Sequence, residues 1–131
     1  MKEIISVNGV KTPDSPFSHI VKSGGFLFLT SQLSADLWTN KVISGTVEEQ
    51  TDRALGNVRL LLQAAGSTME DVVKITVYMR DVGKFEEMNA AYRRHFKPGK
   101  EPARTTVQAQ SPIKGIDVEL DVIAAAPKNR D

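Results

Sequence analysis

The groups best suited to chemistry in this 131-residue sequence are one arginine and a row of carboxylates, each on a segment of strict alternation. Pro102-Ala103-Arg104-Thr105-Thr106-Val107-Gln108-Ala109 and Asp117-Val118-Glu119-Leu120-Asp121-Val122 both repeat with a period of two, the mark of a half-buried strand. The first sends Ala103, Thr105, Val107 and Ala109 to one face and Arg104, Thr106 and Gln108 to the other. The second turns Val118, Leu120 and Val122 to the core and Asp117, Glu119 and Asp121 away from it. The planar, permanently charged guanidinium of Arg104 suits bidentate capture of a carboxylate. Its competing use is an internal pair with Asp121 or Asp117 on a shared sheet face. Glu119 has acidic neighbours at i−2 and i+2, and like charges so aligned raise at least one carboxyl toward the range of a general base. The competing reading is a solvated face of an exposed strand.

Other chemistries find little support. There is no cysteine, which removes disulfides, thiolate nucleophiles and Cys-based metal sites. His19 and His95 are far apart and lack metal-ligand spacing; His95 follows Arg93-Arg94 and reads as a surface or half-buried residue. Arg93, Arg94, Lys97 and Lys100 read as a solvated helix end rather than a phosphate site. No Walker sequence, glycine-rich phosphate loop or Gly-x-Ser-x-Gly elbow is present, and Ser31 has no triad evident in the sequence. The net charge of +1 gives no reason to expect nucleic acid or an anionic membrane as main partner. No apolar run approaches a membrane span, and Met1–Ile5 lacks the apolar stretch of a secretory signal, so a cytoplasmic location is expected.

The length and ordinary composition, 40% hydrophobic and 25% charged, predict one domain over residues 1–131 with a real core. Short strands are predicted at Ile4–Val7, Phe17–Lys22 and Phe26–Thr30, the last two joined by a tight Gly24-Gly25 turn. Ser31–Ser44 reads as polar and irregular. Thr46-Val47-Glu48-Glu49 has capping-box spacing and opens a long helix with Val47, Ala54, Val58, Leu61, Leu62 and Ala65 on its buried stripe, closed by Gly66. A strand spans Val73–Met79, and a second helix spans roughly Lys84–Phe96 with Phe85, Met88, Tyr92 and Phe96 inward. The tail Pro127–Asp131 is expected to fray. The order is β-β-β-α-β-α-β-β, an α+β fold. The crossover between the Val73 and Arg104 strands makes them parallel neighbours. Two helices cover only one face of such a sheet, so self-association is expected.

The chain resembles a known family in several segments taken in order. These are Ser15-Pro16-Phe17; Gly25-Phe26 through Thr30-Ser31-Gln32-Leu33; Gln50…Ala54-Leu55-x-Asn57-Val58; Ala64-Ala65-Gly66; and Asp71-Val72-Val73-Lys74-x-Thr76-Val77-Tyr78. Met88-Asn89-Ala90-Ala91-Tyr92, Pro102-Ala103-Arg104-Thr105 and Val118-Glu119-Leu120-x-Val122-Ile123-Ala124 complete the set. The pattern is similar to that of the RidA (YjgF-type) reactive-intermediate deaminases. The resemblance implies a chorismate-mutase-like subunit whose last strand lies between the third and fourth, and a homotrimer with clefts between subunits. It implies hydrolysis of 2-imino or 2-enamino acids, such as 2-iminopropanoate and 2-iminobutanoate, to 2-keto acids and ammonia, with no metal or organic cofactor. By position, Arg104 clamps the substrate carboxylate and Glu119 holds and polarises water. Thr30 supplies a hydroxyl, Ser31 its backbone, and Phe17, Asn89 and Thr106 line the same cleft.

Four positions depart from the family pattern. Phe17 stands where a tyrosine is usual, Thr30 and Ser31 replace Ser and Gly, and Thr106 replaces a common Cys. The missing phenol and the added bulk keep a second expectation in view: a trimeric protein that binds or senses small carboxylates without turning them over. An RNA-directed role, also attributed to members of this family, finds neither a catalytic His pair nor a basic stripe.

Overall fold

The computed structural model describes residues 1–128. Six strands form one sheet: β1 (Glu3–Ile5), β2 (Ile20–Ser23), β3 (Phe26–Leu33), β4 (Val72–Met79), β5 (Ala103–Gln108) and β6 (Val118–Ala125). Two helices, α1 (Val47–Ala64) and α2 (Phe85–Arg93), lie on one side of it. The order across the sheet is β1-β2-β3-β6-β4-β5. Only β4 and β5 run parallel, across the crossover that carries α2; the last strand inserts between β3 and β4.

Local chemistry accounts for the elements. Gly24 and Gly25, at φ of 59° and 83°, form a two-residue turn that sets β2 against β3. Thr46 Oγ1 accepts the Glu49 N–H at 3.1 Å and Glu49 Oε1 accepts the Thr46 N–H at 2.9 Å, so α1 starts with its first donors satisfied. The same backbone hydrogen bond from Thr46 holds the Glu49 carboxyl below its usual range. Ala65 caps the far end and Gly66 follows at φ 81°, the left-handed position that ends many helices.

Differences from the sequence expectation sit at element ends. The first strand is Glu3–Ile5 rather than Ile4–Val7, and β2 begins at Ile20, leaving Phe17 in the approach to it. β3 runs on through Ser31 to Leu33, and the following segment folds back through an Ala35–Val42 bridge. The second helix is shorter, with a 3-10 turn at Val82–Lys84 before it and its last turn ending at Arg93. Of the tail Pro127–Asp131, residues 129–131 lie outside the described residues.

The core lies between helices and sheet. Val58, Leu61 and Leu62 of α1 and Met88 of α2 meet Leu27, Ile75, Val77, Leu120 and Val122 from the strands, all essentially without exposure. Truncating one of the core leucines to alanine costs about 2–5 kcal/mol. Among the described residues nothing covers the opposite face, which displays Phe26 and Phe28, each 42% exposed, with ring centroids 6.5 Å apart.

Candidate active site

Arg104 is the second residue of β5, an edge strand, and stands in register with the fully buried Ile75 of β4. Its side chain therefore faces the helical layer. Its Nη1 donates to Asn89 Oδ1 at 2.7 Å and lies 3.9 Å from Met88 Sδ. The guanidinium carbon sits 5.3 Å from the Phe85 ring centroid and 4.7 Å from that of Tyr92, so two aromatic faces of α2 hold it. No carboxylate reaches ion-pair distance of Arg104 among the described residues. Thr106, two residues on, faces the same side in register with Val77.

This corrects the shared-face pairing weighed from alternation. Glu119 pairs with Tyr78 and Leu33, and Asp121 with Thr76, on the face away from the helices. Neither can meet Arg104 of its own chain through the sheet. Asp117 lies just outside β6, where Arg80 stands 3.6 Å from it. It also engages Gln50 of α1: Gln50 Nε2 donates to Asp117 Oδ2 at 3.1 Å and its Oε1 accepts the Asp117 N–H at 2.9 Å. The expected row of three carboxylates is thus two, Glu119 and Asp121. The Asp121 carboxyl is pushed up by loss of solvent around it.

Around Glu119 the second half of the site is built. Its Oε2 is buried and has no hydrogen-bond partner. Beside it β3 carries a bulge: Leu29 pairs with Val122 and Gln32 with Leu120, so Thr30 and Ser31 oppose Asp121 alone. The extra residue breaks the ladder at that point. Ser31 lines two adjoining cavities. One, of about 200 Å³, contains Glu119, Tyr78 and Gln110; the other, of about 330 Å³, contains Thr30, Phe17 and Ile113. Phe17 is half exposed, edge-on to His19 at 6.0 Å between centroids.

Seven residues singled out in the sequence therefore fall into two groups within one chain. Arg104, Asn89 and Thr106 stand on the helix side of the edge strand; Phe17, Thr30, Ser31 and Glu119 gather on the other face. Phe85 and Tyr92 were legible only as an inward stripe of α2, and their stacking on Arg104 depends on Arg104 facing that helix. Burial pushes the Tyr92 hydroxyl up to about 12, against the opposing influence of Arg104. The two histidines stay apart in role: His19 Nε2 meets the Lys11 carbonyl at 2.9 Å, and His95 bonds Asp52 of α1 at 2.7 Å. Arg94 and Lys97 are engaged by Glu48, Asp52 and Glu70. Among the described residues no cluster of potential metal ligands occurs, and no helix is long and apolar enough to cross a membrane.

Comparison with known proteins gives a consistent set of likenesses. The family described as endoribonuclease L-PSP matches residues 10–126. A RutC family protein of Pyrococcus horikoshii is 36% identical, over 95% of this chain and 98% of that protein. The chloroplastic Reactive Intermediate Deaminase A of Arabidopsis thaliana is 32% identical, over 94% of this chain and 65% of that protein. Among solved structures, a Rid-family protein of unknown function from Yersinia pestis superposes with a TM-score of 0.88 at 28% identity, covering 96% of this chain and all of that one.

Proposed function

The chain belongs to the endoribonuclease L-PSP family, the group that includes the RutC and Rid proteins, and from that premise we propose that it is a deaminase of 2-imino and 2-enamino acids. The observation that carries this reading is the guanidinium of Arg104, fixed by Asn89 and two aromatic rings yet paired with no carboxylate among the described residues. A fixed cation of that kind is a receptor for an external acid group. The Arabidopsis relative named as a reactive intermediate deaminase supports the same class of reaction.

Arg104 and Glu119 act together only across two chains, because one sheet separates them within a protomer. The assembly is a homotrimer in which the exposed Phe26–Phe28 face is covered and the β5 edge of one subunit meets the Glu119 face of the next. In the cleft, Arg104 holds the substrate carboxylate with the donors that Asn89 leaves free. The bulge at Thr30 and Ser31 presents backbone and hydroxyl to the reacting end, and Asn89 and Thr106 line the Arg104 side. Glu119 takes a proton from water as the water oxygen bonds to the imine carbon, giving a tetrahedral carbinolamine. That proton passes to nitrogen; the hydroxyl then gives up its own proton to the nitrogen, by way of Glu119, as the carbonyl forms and the carbon–nitrogen bond breaks, and the products are a 2-keto acid and ammonia. Orientation of an already electrophilic carbon supplies most of the acceleration, and one base supplies the rest.

The test generates 2-iminopropanoate in situ with an amino-acid oxidase and follows loss of the imine. Wild type accelerates the decay, and Arg104→Ala does not. If the two decay at the same rate while wild type still binds 2-keto acids by calorimetry, the protein is a carboxylate-binding module and not a deaminase. That outcome would trace to the phenyl ring of Phe17, which offers no hydroxyl.

A further inference from the structure

We propose that the larger cavity beside Ser31 is the pocket for the substrate side chain, and that it selects branched or aromatic apolar side chains over small or anionic ones. This rests on the deaminase reading for the position of the reacting carbon. Ser31 lines both cavities, so a substrate whose imine carbon lies against Glu119 and Ser31 has only to pass Ser31 to enter the larger space.

Phe17, Leu33, Leu37, Val42 and Ile113 wall that space, and at about 330 Å³ it exceeds what a methyl side chain fills. Several of its polar residues are already engaged within the protein, while the Nδ1 of His19 is buried without a partner. Asn57 Nδ2 donates to the carbonyls of Leu33 at 3.1 Å and Ala35 at 2.8 Å. Asp36 Oδ1 accepts the N–H groups of Trp38 and Thr39, and Gln32 Nε2 donates to the Thr30 carbonyl. An occupant therefore meets those five apolar side chains together with one unpaired ring nitrogen. The full charges on the lining are the carboxylates of Asp36 and of Asp14, the latter 3.4 Å from Lys11, and no lysine or arginine belongs to the lining itself, so an acidic side chain finds no partner cation in the lining. On this view Phe17 supplies an apolar wall where the family pattern has a phenol, and the same substitution that removes a hydroxyl widens the preference toward bulk.

The test measures calorimetric binding of three 2-keto acids, pyruvate, 4-methyl-2-oxopentanoate and 2-oxoglutarate, and turnover of the imines generated from alanine and leucine. Wild type binds 4-methyl-2-oxopentanoate roughly ten-fold or more tighter than pyruvate, the discrimination expected for added methylenes in an apolar pocket, and binds 2-oxoglutarate more weakly than either. Ile113→Trp, at a residue 41% exposed and outside every strand, fills the cavity: it removes the preference while leaving pyruvate affinity nearly unchanged. Val42→Trp fills it from another lining residue and serves if the first variant fails to fold. Equal affinity for the two neutral acids, equal loss for all three on filling, or no binding of any overturns the assignment. Turnover without side-chain preference overturns the pocket and leaves the deaminase reading standing. Preference in binding without turnover does the reverse.

Discussion

Asn89 Oδ1 accepts a hydrogen bond from Arg104 Nη1 at 2.7 Å, a neutral acceptor serving a full positive charge. That choice matters because an aspartate in the same place would neutralise the guanidinium, whereas the amide orients it and leaves its charge available. Burial of Asn89 on α2, at 8% exposure, makes the arrangement rigid.

The first prediction follows from this contact. Asn89→Ala removes a hydrogen bond to a charged group, worth about 1.5–3 kcal/mol, and loosens Arg104 without discharging it. Affinity for 2-keto acids then falls roughly ten-fold or more, seen mainly in KM and in calorimetric Kd. Asn89→Asp keeps the shape and supplies an internal counter-ion, so binding falls further than with alanine. An aspartate variant that binds keto acids as well as wild type would remove Arg104 from the role of carboxylate receptor.

Much of this arrangement could be read from the residues alone. The capping box at Thr46 and Glu49, the Gly24-Gly25 turn and the alternation of Ala103–Gln108 all depend on contacts close in sequence, and each appears where it was expected. Alternation also separated Arg104 from its neighbours correctly. It could not say that the Arg104 side of β5 shares a face with the core side of β6, because that depends on strand order. Insertion of β6 between β3 and β4 came from the family resemblance, since a loop as short as residues 109–117 favours a hairpin. The bulge at Thr30 and Ser31 was invisible because one extra residue breaks the period on which the reading relies. Asp117 looked like a third member of an acidic row, yet Gln50, 67 positions away, takes both its carboxylate and its N–H.

Gln50 carries the second prediction. Almost fully buried, its Nε2 reaches the carbonyls of Gly45 at 3.0 Å and Gly115 at 3.3 Å as well as Asp117, so one amide ties the start of α1 to the entry of β6. Gln50→Ala leaves several buried polar groups unpaired and costs about 3 kcal/mol. Thermal unfolding should show Tm lowered by roughly 10 °C. Because β6 bears Glu119, imine turnover falls at temperatures where the variant is still folded. A variant as stable as wild type would mean that this amide does not hold the strand.

A pH dependence follows from Tyr92. Its hydroxyl is buried with no partner, and burial pushes its pKa up to about 12. The folded state therefore holds the proton more tightly than the unfolded chain, whose phenol titrates near 10. Stability from this group is complete below pH 10 and is lost as pH rises through 12. Denaturant unfolding should show a decline over that window that Tyr92→Phe lessens. The same variant removes an unsatisfied hydroxyl and keeps the ring against Arg104, so at pH 7 its Tm equals or exceeds that of wild type. A marked drop at pH 7 would show that the hydroxyl has a partner.

The last prediction concerns the separation of Arg104 from Glu119 by the thickness of one sheet. If each site takes its arginine from one subunit and its glutamate from the next, then Arg104→Ala and Glu119→Gln damage different halves of every site. Each variant alone is inactive. Coexpressed in equal amounts with distinct tags and purified through both, they form mixed oligomers in which some clefts combine an intact arginine with an intact glutamate. In a trimeric ring every mixed oligomer, of either composition, holds one intact cleft in three, so imine turnover per cleft should recover to roughly one third of wild type. The double variant mixed with either parent cannot rebuild a site with wild-type residues on both sides except by the parent's own intact half, and the parent lacks the other, so it remains inactive. Mixed oligomers as inactive as both parents would mean that the two residues never face one cleft, and the shared-site mechanism would have to be abandoned.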